Sequence, residues 1–180
     1  TSQDGSYMVL SGTSMATPGA AGIVGLLTQA YIESYNSLPT PSLVKALLAN
    51  GADDVATEGI DYQCGFGRIN ASNSLQHITD GRHIEGSILE GEKRYTFSLG
   101  EKSDTKATIA WTDYPGDPMI AKQLVNDLDM ELVTPQGETR YPKHLNPLLP
   151  DSPALEERAA DHANNIEQIH ITNAEPGQYI

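Results

Sequence analysis

The spacing of apolar residues changes period once along this 180-residue chain, near residue 83. Before that point apolar positions recur at helical intervals. After it they alternate with polar ones in short runs, the period of a strand. The first stretch, Gly19-Ala20-Ala21-Gly22-Ile23-Val24-Gly25-Leu26-Leu27, is apolar on every face. A helix over roughly residues 14–35 is therefore expected inside a protein. Asn36-Ser37-Leu38-Pro39 reads as a loop, and Thr40 as the cap of a second helix with Pro41 at its first position. Leu43, Val44, Leu47 and Leu48 give that helix one apolar face, and Asn50-Gly51 is a stop signal. Gly65-Phe66-Gly67-Arg68-Ile69-Asn70 reads as a tight loop, with Asn70 capping a short third helix through Leu75.

Beyond His83, Glu92 to Leu99 predicts a strand with Tyr95, Phe97 and Leu99 on one face. Thr105 to Trp111 predicts another, with Ala107, Ile109 and Trp111 inward. Leu128 to Val133 gives a third, ended by Pro135-Gln136-Gly137; Ile166 to Ile171 gives a fourth. Tyr179-Ile180 reads as the start of a fifth, cut by the chain end, and Lys143 to Asn164 as a long loop. Short strands with Gly and Pro turns suggest a β-sandwich or jelly roll. Two domains are expected, a mainly helical one over 1–82 and an all-β one over 83–180. The helical part shows no sheet of its own to cover its apolar helix. Each Leu, Ile or Val side chain left uncovered forfeits about 1.5–3 kcal/mol. That part is expected to be molten, oligomeric or dependent on a partner segment.

Charge and composition narrow the partners. The net charge is −13, with no basic stripe, which argues against nucleic acid. The apolar run is too short to cross a bilayer, so no membrane partner is expected. A single cysteine, Cys64, excludes an internal disulfide. Asn70-Ala71-Ser72 is a formal glycosylation sequon, although the helix-cap reading of Asn70 competes with it.

The chemistry concentrates in Gly12-Thr13-Ser14-Met15-Ala16-Thr17-Pro18. A hydroxyl after a flexible residue opens the long apolar helix. Helix N-termini offer unpartnered N–H groups and positive potential, which suit an oxyanion. The same residues also suit a plain loop-and-cap reading, with Thr17-Pro18 as cap and first helical position. The string resembles the nucleophile motif of the subtilases, the subtilisin-like serine proteases. The resemblance implies Ser14 as nucleophile and, through its backbone N–H, an oxyanion donor; Thr13 as oxyanion support; and Met15 as the methionine beside the nucleophile. Gly19 departs from the histidine often found after the motif's proline. Gly65 to Asn70 resembles the segment closing the catalytic domain. Trp111 to Gly116 and Leu124 to Asp129 resemble the C-terminal β-barrel of one subtilase branch. The implied fold is an α/β catalytic-domain remnant, mainly helical here, followed by an all-β sandwich or jelly roll.

In that family the triad's aspartate and histidine precede the serine, as does the oxyanion asparagine. Thirteen residues precede Ser14, with Asp4 as their sole acid and no histidine. The histidines at 77, 83, 144, 162 and 170 do not lie in the family's His-Gly-Thr-type context. The chain reads as the C-terminal part of a longer, secreted endopeptidase acting on protein or peptide through an acyl-enzyme. The fragment itself is expected to be inactive for want of its N-terminal catalytic segment. An alternative is a non-catalytic β-barrel binding or structural module that holds calcium. Asp127, Asp129 and Glu131 alternate, and Asp113 and Asp117 bracket a Pro-Gly turn. Hard oxygens from a turn and a strand suit calcium, which makes Asp113, Asp117, Asp127 and Asp129 candidate ligands. Otherwise these acids face water, with Asp113 capping its turn.

Overall fold

The computed structural model describes residues 4–119, 124–156, 158 and 161–180. Three helices come first: α1 (Thr13–Tyr35), α2 (Pro41–Gly51) and α3 (Ala71–Thr79). Short antiparallel strand pairs follow. Residues 157, 159 and 160 of the loop expected over 143–164 lie outside the described set.

Two caps read from the sequence, Thr40 and Asn70, are observed. Thr40 Oγ1 accepts from Leu43 N at 3.2 Å, and Asn70 Oδ1 accepts from Asn73 N at 3.1 Å. Asn36 closes α1 in the left-handed conformation, φ 52°. Helix α3 runs one turn beyond Leu75, and that turn delivers Ile78 to the helical core. The core consists of Leu27 and Tyr31 of α1, Leu43 and Leu47 of α2, and Ile78. Asn50-Gly51 does stop α2, although Gly51 is not in the left-handed conformation. It is the last residue of α2, at negative φ, and a Cβ there would sit 2.4 Å from Ser74 Oγ and 2.7 Å from Ser74 N. Glycine is required because α2 and α3 cross at this point.

The apolar helix α1 is covered along one stripe of its C-terminal half, where Leu27 and Tyr31 are buried. Leu26 is 63% exposed on the other side. Upstream of α1, Tyr7, Met8, Val9 and Leu10 form an exposed apolar stretch.

In the second half the long pair is β2 (Ser103–Ala110) with β7 (Ile166–Ala174). The register slips between Ser103 and Thr105. Strand β1 (Phe97–Leu99) pairs with β8 (Gly177–Tyr179), and β3 (Leu132–Val133) with β4 (Thr139–Arg140). Two bonds between Val133 and Ile180, of 2.8 and 3.1 Å, lay β3 beside the end of β8. The expected long loop contains a further pair, β5 (Lys143–His144) with β6 (Leu155–Glu156). A second core gathers Leu132, Ile169, Ile171, Ala174 and Tyr179, with Leu99, Ala107 and Met130 against it.

Several strands are shorter than their alternation suggested. Tyr95 lies outside β1 and is exposed, and Phe97 is at the surface, stacked on Tyr179. Residues 128–131 are not in a strand. Among the described residues the architecture is three helices and several antiparallel pairs. The two halves meet where β2 lies against α2, and Lys106 Nζ donates to Ala52 O at the C-terminal end of α2 at 2.7 Å. A cation there also satisfies a carbonyl at the negative end of the helix dipole.

Candidate active site

Ser14 is the second residue of α1, directly after Thr13 and the N-cap Gly12. Gly12 has φ 144° and ψ 175°. A Cβ there would meet Met15 Cε at 3.6 Å, an ordinary contact, so the requirement for glycine is conformational rather than spatial. Gly12 O accepts from Met15 N and Ala16 N, each at 3.1 Å. The N–H groups of Thr13 and Ser14 precede the first intrahelical donor and point out of the helix end. Both side chains are exposed.

Pro18 lies inside the helix, and this corrects the alternative that made Thr17-Pro18 its beginning. In an α-helix the N–H of residue 18 would donate to the carbonyl of residue 14. Proline has no such N–H, so the backbone carbonyl of Ser14 loses its helical partner. The missing bond falls on the candidate nucleophile itself.

No histidine reaches Ser14 by a hydrogen bond among the described residues. His83 packs its ring tilted against Tyr31 and edge-on to Tyr35, and bonds the backbone of His77. Tyr31 follows Ser14 by about 17 residues, which at about 1.5 Å per residue puts His83 some 25 Å along α1. His162 Nδ1 pairs with Asp127 at 2.8 Å, while His144 and His170 sit on β5 and β7. A serine without a base in reach is a weak nucleophile.

The candidate calcium ligands do not converge. Asp113 accepts from Tyr114 N, Val125 N, Asn126 N and Asn126 Nδ2 at 2.7–2.9 Å, which occupies its oxygens with N–H donors. Burial opposes ionisation of Asp113, yet these bonds hold its pKa below the ordinary value. Asp117 accepts from Met119 N at 2.9 Å, and Glu131 pairs with Arg158 at 3.1 Å. Asp127, Asp129 and Glu131 do not share a strand face, because their segment is not a strand. Among the described residues no three His, Cys, Asp or Glu side chains could hold a metal ion together. Among the described residues, Asp113, Asp117, Asp127 and Asp129 are not gathered into one such group. Asn70 is likewise committed, as cap of α3 and as donor to Asp53 Oδ1 at 3.0 Å.

One group was invisible in the sequence pattern. Glu167, on β7, is 4% exposed, and its Oε2 accepts from Met130 N at 2.8 Å. Burial raises its pKa to about 7; the bond from Met130 opposes this, while Asp129, Asp161 and Asp127 add to it. A carboxylate between Ile166 and Gln168 leaves no motif, so only the fold reveals its burial.

The helix end with its glycine, threonine and serine lies within a segment similar to a known family. Residues 1–67 match the Subtilase family. A serine protease/ABC transporter B family protein, tagA, of Dictyostelium discoideum is 30% identical over 195 residues, covering 96% of this chain and 11% of that protein. The serine protease AprX of Bacillus subtilis is 45% identical over 69 residues, covering 38% of this chain and 14% of that protein. The chain thus spans less than one sixth of the length of either relative. The chain is thus similar to the Subtilase family over residues 1–67 and to two proteins named as serine proteases. No described helix is long and apolar enough to cross a membrane.

Proposed function

We propose that this chain supplies the nucleophile of a secreted, subtilisin-like endopeptidase acting on protein or peptide. Ser14 attacks the scissile carbonyl, its backbone N–H helps to hold the oxyanion, and Thr13 supports that site. A histidine and an aspartate from a preceding segment activate the hydroxyl. The observation that carries this reading is Ser14 in the first turn of an exposed, apolar α1 within the matched segment. The uncovered faces of α1 and the exposed Tyr7 to Leu10 stretch support a preceding segment that covers them. The 180-residue chain alone is inactive in this reading, since no histidine reaches Ser14. A fluorophosphonate probe tests it. Ser14 is labelled in a longer protein that includes the preceding segment, and Ser14→Ala abolishes both labelling and peptide hydrolysis. Labelling of the 180-residue chain itself, lost in Ser14→Ala, refutes the inactivity.

The second half has a separate reading, as a non-catalytic structural module, a β-sandwich or jelly roll. The apolar core shared by β3, β7 and β8 supports it, as do the bonds that tie β2 to α2. Its role in that reading is to brace the helical half. Deleting residues 83–180 from the longer protein then lowers its melting temperature without removing the nucleophile.

A further inference from the structure

A chain of side-chain hydrogen bonds crosses the junction between the two halves. Gln168 of β7 is buried. Its Nε2 donates to Ala49 O at 3.3 Å and to Thr108 Oγ1 at 2.9 Å. Thr108 Oγ1 donates to Asn50 Oδ1 at 2.8 Å, and Asn50 Nδ2 faces His77 Nε2 at 3.1 Å. The chain thus runs from β7 through β2 and α2 to α3.

Its polarity has one fixed end. The Ala49 carbonyl can accept but not donate, so it holds the Gln168 amide with its NH2 toward both Ala49 and Thr108. Thr108 has a single hydroxyl proton. Accepting from Gln168, it passes that proton to Asn50 Oδ1. Asn50 then presents its NH2 to His77, whose Nε2 must accept. His77 is thereby held neutral with its proton on Nδ1, an atom buried without a hydrogen-bond partner.

Protonation of His77 turns Nε2 into a donor that faces the Asn50 NH2. Reversing the Asn50 amide relieves that clash but aims its NH2 at Thr108, whose hydroxyl proton then loses its acceptor. A charge placed on α3 therefore unmakes a bond on β2. The charged and titratable groups facing the ring are Arg82, Asp80 and His83 beyond the end of α3, and Lys106 on β2. Asp80 favours the charged ring; Arg82, His83 and Lys106 oppose it.

We infer that Gln168, Thr108, Asn50 and His77 form a directional relay that makes docking of the strand half onto the helices acid-sensitive. Burial first, and then Arg82, keep the pKa of His77 below its ordinary 6.5. A histidine with a lowered folded pKa gives stability that is present above its unfolded pKa. That stability is lost as pH falls through the folded value. Docking is therefore firm at neutral pH and loosens below about pH 6.5.

The test uses the whole chain. Ring-nitrogen NMR of His77 reports its tautomer, and hydrogen exchange at the amides of residues 49–52 and 106–108 reports docking. At about pH 7.5 His77 is in the Nδ1–H form, and at about pH 5.5 junction protection is about tenfold lower. His77→Gln keeps an acceptor without a titration and removes that difference. Asn50→Asp sets a carboxylate against the protonated ring, so the pKa of His77 rises and junction protection becomes greater at the acid pH. Equal junction protection at the two pH values in the parent chain overturns the inference. So does an equal acid loss in His77→Gln, or a neutral His77 with its proton on Nε2.

Discussion

Glu167 shows how a single buried side chain can set the pH response of a module. Its folded pKa, about 7, is above the unfolded value of 4.5, so the folded state keeps the proton longer. The stability this gives is full below about pH 4.5 and is lost as pH rises through about 7. Glu167→Gln keeps an acceptor for Met130 N and never ionises. It is expected to raise stability at pH 8 by up to about 3 kcal/mol and to change it little at pH 4. Urea unfolding midpoints at the two pH values check this. Glu167 and His77 push in opposite directions, one favouring mildly acid conditions and the other neutral ones, so the single variants separate them. Neither residue stood out in the sequence, because a pKa depends on what the fold packs around the group. Ser14 did stand out, because its neighbours Gly12, Thr13 and Pro18 are adjacent in the chain.

At the scale of elements, the helices were largely legible. Thr40-Pro41 and Asn70 marked two helix starts, since capping is a local bond between residues three apart. Thr40→Ala is expected to cost about 1 kcal/mol, measured by thermal or urea unfolding, because Leu43 N then loses its side-chain acceptor. Gly51 was read correctly as a helix end, but its need for glycine is tertiary. The helix ends there, but the glycine is needed for the approach of Ser74. Gly51→Ala forces Ser74 Oγ and backbone apart and is expected to cost about 1–3 kcal/mol in the same assay. The strands were less legible. Period-two runs over 92–99 and 128–133 overstated β1 and β3, because a strand extends only as far as a partner supplies hydrogen bonds. The β5 and β6 pair inside the expected loop was missed because each strand has two residues, too few to show alternation.

At the scale of the molecule, the segment over 86–96 joins the halves as exposed chain, with Leu89 fully out in solvent. The linker start is held by Glu85, which accepts from Tyr31 Oη at 2.7 Å and from Thr40 N at 3.2 Å. Limited proteolysis is expected to nick this segment first. The two pieces are expected to co-elute in size-exclusion chromatography at pH 7.5, because the junction holds them together. Leu26 and the Tyr7 to Leu10 stretch leave apolar side chains open to solvent. Binding of an apolar dye is expected in the 180-residue chain and, on the proposed function, is expected to fall when the preceding segment that proposal invokes is supplied. Dye fluorescence that stays equal in both contradicts this.

The sequence by itself determined what depends on near neighbours. It marked the helices and two of their caps, the change of period near residue 83, and a serine in a context that resembles the subtilase nucleophile. Each rests on bonds or steric limits between residues a few positions apart. The tertiary structure alone decided what depends on distant ones. It withheld convergence from the candidate calcium carboxylates, set Gly51 against Ser74, buried Glu167, and joined His77 to Gln168 across the junction. Burial and hydrogen-bond polarity are properties of surroundings, and the chain acquires those surroundings only on folding.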